Sequence, residues 1–128
     1  MSRHQLSGSG DFEIEYVHSY YDAPVVEHFV AEKYGGFELV EVSSSSEAVI
    51  DYYELEGHKE AGDDLLRLVL DEPQRFETLP LIATEKGRRT LEVWNERFPL
   101  YARGGPQHLV IRVEEDTLFT EMHGLLDG

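Results

Sequence analysis

Hydrophobic and polar positions alternate most cleanly in DFEIEYVHSYY, residues 11 to 21. Phe12, Ile14, Tyr16, His18 and Tyr20 fall on one side and Glu13, Glu15 and Ser19 on the other, the two-residue period of a half-buried strand. Asp22, Ala23 and Pro24 then have the form of an N-cap with proline in the first turn. Val25, Val26, Phe29, Val30 and Lys33 follow helical spacing as far as Gly35 and Gly36, which predicts a helix over 23–35. FELVEV at 37–42 predicts a second strand, and the four serines at 43–46 a flexible turn.

The next stretch admits two readings. Ser44 and Glu47 have capping-box spacing, and Val49, Tyr52, Tyr53 and Glu56 would share one helical face. Val49, Ile50, Tyr52 and Tyr53 also suit a pleated surface, and the run meets Gly57 after about ten residues. Strand is the preferred assignment for 47–56. In DDLLRLVLDE, Leu66, Leu68 and Leu70 face one way and Asp63, Arg67 and Asp71 the other, so 63–71 reads as its antiparallel partner, joined to it by GHKEAG.

After Pro73 the pattern is irregular, and Pro80 allows TLPLIA only an edge strand. Thr84 can cap a helix over 85–98, where Leu91, Trp94 and Phe98 recur at helical intervals and Pro99 ends it. RGGPQ reads as a loop. HLVIRVEED predicts a strand with Leu109, Ile111 and Val113 inward, and TLFTEMHGLL a terminal helix burying Leu118, Phe119, Met122 and Leu126. The order β-α-β-β-β-α-β-α implies an α+β fold: a mainly antiparallel sheet with about three helices packed on it. Residues 1–10 read as a flexible leader and 11–128 as a single α+β domain.

Composition narrows the chemistry. A chain of 128 residues with 41% hydrophobic residues can bury one core. No cysteine is present, which removes disulfides, thiolate metal sites and a cysteine nucleophile. The opening residues lack the apolar run of a signal peptide, and no stretch approaches the length of a membrane span, so the expectation is a cytoplasmic protein without a membrane partner. Neither the dinucleotide-binding glycine pattern nor a phosphate-binding loop is found, and no cofactor is implied. His28 and Glu32 lie four apart, yet the pattern is not H-E-x-x-H, and no metal is expected. Glu114 and Glu121 with His123 would form a carboxylate–imidazole cluster only if the fold joined them.

Charge is the strongest compositional feature. The net charge is −15, and residues 46–72 hold nine acids against Lys59 and Arg67, whereas 73–99 hold four acids against five bases. Such a field repels nucleic-acid phosphates and hastens encounter with a basic protein. The plainer reading of the same acids is solubility. The functional reading is a non-enzymatic protein-binding module, using Asp51, Tyr52, Tyr53, Glu54, Glu56, Glu60, Asp63 and Asp64 against a basic partner surface. Inhibitors of nucleic-acid-cutting enzymes, such as immunity proteins and antitoxins, follow that charge logic. The alternative is a small-molecule or catalytic cleft using His18 with Tyr16 and Tyr20, although an inward histidine between tyrosines is more commonly a hydrogen-bonded core residue.

Overall fold

The computed structural model describes residues 2–6 and 8–123. Valine, isoleucine and aromatic side chains fit a pleated surface wherever a neighbouring strand completes the backbone hydrogen bonding. Here they are drawn into eleven strands among the described residues: β1 (Ser2–Gln5), β2 (Asp11–Val17), β3 (Pro24–Ala31), β4 (Phe37–Ser44), β5 (Gly57–Ala61), β6 (Leu66–Phe76), β7 (Thr78–Ala83), β8 (Thr90–Val93), β9 (Glu96–Pro99), β10 (Gln107–Glu114) and β11 (Thr117–His123). One helix, α1 (Glu47–Tyr52), stands between β4 and β5. The strands form a four-stranded sheet, β1-β11-β10-β7, and a seven-stranded sheet, β5-β6-β4-β3-β2-β8-β9. All pairings are antiparallel.

A single buried cluster joins both sheets and the helix. Phe12, Ile14, Val25, Phe29, Phe37 and Val42 come from the larger sheet, Ile111, Val113 and Leu118 from the smaller, and Val49 and Ile50 from α1. Phe12 stacks on Phe29 at 5.1 Å between ring centres, and Phe37 meets both rings edge-on. The opposite face of the larger sheet is polar. Glu13 there lies across from His28 on one side and Glu92 on the other. Partial burial raises the Glu13 carboxyl above its usual range, and the neighbouring Glu92 adds to the shift.

These observations overturn the α+β expectation: among the described residues the fold is mostly β, with one short helix in place of about three. The segment read as a helix over 23–35 is β3, because pairing with β2 and β4 buries Val25 and Phe29 on one face. Residues 85–98 make one turn and then the β8–β9 hairpin. The Thr84 hydroxyl does accept from Gly87 N–H (2.9 Å), but the cap serves only that turn. The reversal falls at Trp94 and Asn95, whose φ values of 57° and 62° are left-handed and incompatible with a continuing helix. The terminal segment is strand β11, with Leu118 buried and Met122 exposed; Leu126 lies outside the described residues.

The predicted 47–56/63–71 hairpin is also corrected. Residues 47–52 are helical, and the supposed connector GHKEA is itself β5, paired with β6. Ser46, rather than Ser44, caps α1 by accepting from Val49 N–H at 3.4 Å. Gly57 lets the β5 backbone approach closely, since a Cβ there would stand 2.5 Å from the Val69 carbonyl oxygen. The inward leucines of β6 are as read: Leu68 and Leu70 are buried and Leu66 is half-buried. β10 falls on its predicted segment; β2 ends at Val17, short of the strand expected over 11–21, β4 runs on through Ser43 and Ser44 of the expected serine turn, and β7, which contains Pro80, is an edge strand. Ser2–Gln5, within the expected leader, pairs with β11.

Candidate functional site

β2 passes into β3 through residues 18–23, and this turn builds the surface of interest. The His18 N–H donates to the Ala23 carbonyl and the Asp22 N–H to the His18 carbonyl, both at 2.8 Å. Asp22 takes a left-handed φ of 52°, a conformation aspartate tolerates better than most residues. The chain thereby folds over the imidazole, leaving His18 only 7% exposed. Its Nδ1 accepts the backbone N–H of Tyr20 at 3.2 Å and of Tyr21 at 3.4 Å. An accepting Nδ1 carries no proton, so the neutral ring holds its hydrogen on Nε2.

Aromatic rings pack around this imidazole. Tyr52 of α1 meets it edge-on at 4.8 Å and Tyr21 lies 5.3 Å away, while Tyr20 and Tyr21 contact each other edge-to-face at 4.9 Å. Tyr20 and Tyr52 are nonetheless 78% and 63% exposed, so one flank of the cluster faces solvent. A cleft of about 480 Å³ opens beside them, lined by His18, Tyr16, Tyr20, Tyr52, Lys86 and Arg89 among others.

A second polar cluster lies on the core-facing side of the sheet. Glu27 sits opposite Ile14 in the β2–β3 ladder, on the same face as Val25 and Phe29. The Tyr53 hydroxyl donates to Glu27 Oε2 at 2.9 Å and is itself hydrogen-bonded to the Tyr16 hydroxyl. Because Tyr53 has one hydroxyl proton, Tyr16 must be the donor in that contact. The Arg89 guanidinium lies over the Tyr16 ring at 4.4 Å. Burial raises the Glu27 carboxyl; the Tyr53 hydrogen bond and the Arg89 charge oppose the shift. Burial also raises both phenols, assisted for Tyr53 by the Glu27 charge, so both stay protonated at neutral pH.

The eight residues expected to bind a partner divide into groups. Tyr53 turns inward to Glu27, whereas Tyr52 joins the exposed rings. Asp51 and Glu47 accept from Lys59 at 2.7 and 3.0 Å, which ties α1 to β5. Glu60 is 3.4 Å from Arg67. Glu54, Glu56, Asp63 and Asp64 are exposed and have no ion pair among the described residues. The β5–β6 turn that carries Asp63 and Asp64 lies at the same end of the sheet as the tyrosines, because Leu66 pairs with Ser44 and Ser44 with Val25. Tyr52, Asp63 and Asp64 of the expected partner-binding set thus share one end of the molecule with His18, Tyr16 and Tyr20, whereas Glu56 stands beside Leu70 and Asp71 at the far end of β5. Glu27 and Arg89 were not identified as site residues by that reading; recognising Val25, Glu27 and Phe29 as one strand face would have exposed the first.

His28 contacts Asp11 at 3.2 Å and is not set beside Glu32 on a helix. Glu114 and Glu121 both engage Arg112, at 2.6 and 3.0 Å. Among the described residues no group of three or more histidines and carboxylates is arranged to hold a metal ion, and no helix is long and apolar enough to cross a membrane. No family model, curated protein or solved structure matches this chain. Its functional interpretation therefore rests on the chemistry of the tyrosine end.

Proposed function

We propose that this protein is a binding module that docks on a basic protein surface through its tyrosine end and the neighbouring acids. The observation that carries the reading is the gathering of Tyr20, Tyr21 and Tyr52 into one edge-to-face cluster on His18. Tyrosine supplies large contact area with little rotamer entropy to lose, and such residues concentrate binding energy at protein interfaces. The unpaired Glu54, Glu56, Asp63 and Asp64 supply a field that steers a cationic partner. A nucleic-acid-processing enzyme with a cationic phosphate site is the partner class this charge suits, as for an inhibitor of the immunity or antitoxin type.

The test is capture from the native host with the full chain, followed by association kinetics with the captured protein. Reversing Glu54, Glu56 and Asp63 to lysine is expected to slow association by about one to two decades, and added salt to slow the wild type. Tyr52→Ala is expected to act mainly on dissociation. A partner that binds both variants as it binds the wild type, at a salt-independent rate, would refute the reading. A second reading, a small-molecule site, is favoured by the cleft containing His18, Tyr16 and Tyr20. Ligand-induced shifts confined to those residues in an NMR fragment screen, without competition from the protein partner, would support it.

A further inference from the structure

We infer that His18 is a pH-operated latch that holds Tyr20 and Tyr21 in place while neutral and releases them when protonated. The consequence for binding rests on the function proposed above; the latch itself rests on geometry alone.

In the neutral ring, a single nitrogen accepts two successive backbone N–H groups at 3.2 and 3.4 Å. These bonds fix the direction in which the chain leaves His18, and with it the placement of the Tyr20 and Tyr21 rings. Protonation puts a hydrogen on Nδ1, and an imidazolium has no acceptor left. Two donors then face a third, and the charged ring, only 7% exposed, keeps its Nδ1 hydrogen pointed at groups that cannot accept it. The favourable response is for the turn to open, so that the amides and the charged ring reach solvent. The other turn bonds, from His18 to Ala23 and from Asp22 to His18, are backbone contacts with no such dependence on charge.

The surroundings place this change at the candidate surface. From the turn itself come Tyr20, Tyr21 and Asp22; from α1, the neutral Tyr52 phenol; from β2, Tyr16; and from the segment between β7 and β8, Lys86 and Arg89. Both Tyr21 and Tyr52 rest on the imidazole, so its outward movement removes the support shared by the exposed rings. Histidine is the side chain whose ordinary titration spans the mildly acidic to neutral range. The expected direction is an assembled surface at neutral pH and a loosened one in mild acid.

The experiment is a ¹H–¹⁵N and imidazole NMR titration of the full chain from about pH 7.5 to about pH 5. The Tyr20 and Tyr21 amides are expected to move with the same midpoint as the His18 ring protons. Their exchange with solvent, corrected for its intrinsic pH dependence, is expected to rise by about tenfold or more. In His18→Asn, the side-chain carbonyl can accept the same two amides as an Asx turn and cannot take up a proton. That variant should keep both amides protected throughout the range. The inference is overturned if His18 titrates without moving these amides, if His18 stays neutral while the fold persists, or if His18→Asn shows the wild-type change. The wild-type titration decides the matter by itself should the variant not fold. No partner enters this measurement, so failure of the latch and failure of the binding proposal are separately visible.

Discussion

β3 and β10 are both eight-residue strands flanked by neighbours on either side, and they differ at one inward position. β10 presents Leu109, Ile111 and Val113 to the interior, and all three are buried. β3 presents Val25, Glu27 and Phe29. The aliphatic middle residue of β10 needs only contact, so its neighbourhood is plain core. The carboxylate in the middle of β3 needs a donor, and Tyr53, the residue that ends α1, supplies it. That bond draws the end of the helix onto the sheet and leaves Tyr52, one residue earlier, over His18. A single polar residue on an inward face thus separates a region that only stabilises from one that also positions a surface.

The contrast predicts a graded set of outcomes. Ile111→Ala should be the most damaging, costing about 2–5 kcal/mol in denaturant melts, because it opens a cavity at a fully buried site. A loss below about 0.5 kcal/mol would show that the β10 region is not close-packed core. Tyr53→Phe should cost about 1–3 kcal/mol by leaving the Glu27 carboxylate without its donor. If the damage comes from that orphaned group, adding Glu27→Leu should recover part of it; no recovery in the same melts would make Tyr53 a packing residue like those of β10.

Glu27→Gln tests the electrostatics of the same bond. Burial raises the Glu27 carboxyl above its unfolded value, so the folded chain holds that proton more tightly than the unfolded chain. Its stabilising contribution is complete below the ordinary carboxylate range and is lost as pH rises through the raised value. Glutamine can still accept from Tyr53 but does not ionise. Relative to the wild type, the variant should therefore gain stability from about pH 4 to about pH 7, as read by paired thermal melts. A constant difference across that interval would place Glu27 in water-like surroundings. The smallest effect belongs to the exposed acids: Glu54→Lys or Asp63→Lys should alter stability by no more than about 0.5 kcal/mol, since neither has an ion pair among the described residues. A larger change in either melt would give these acids a structural role.

The sequence by itself determined β2, β4 and β10, the inward leucines of β6, and the confinement of the Pro80 segment to an edge. In each, alternation or a missing N–H specifies the outcome locally. It also placed His18 on an inward face and concentrated charge in the middle of the chain. Only the tertiary structure decided that β3, β8, β9 and β11 are strands. Their spacings fit a helix over a few residues, and the hydrogen bonds that make them strands come from distant partners. Glu27 hid the alternation of β3, Thr84 gave a true cap to a single turn, and α1 formed where β-branched and aromatic residues favoured a strand. The joining of Glu27 to Tyr53 across 26 residues, and of Tyr16 to Tyr53 across 37, followed the same rule. A buried polar group takes whichever partner the completed fold brings within reach, and no local pattern in the chain encodes that proximity.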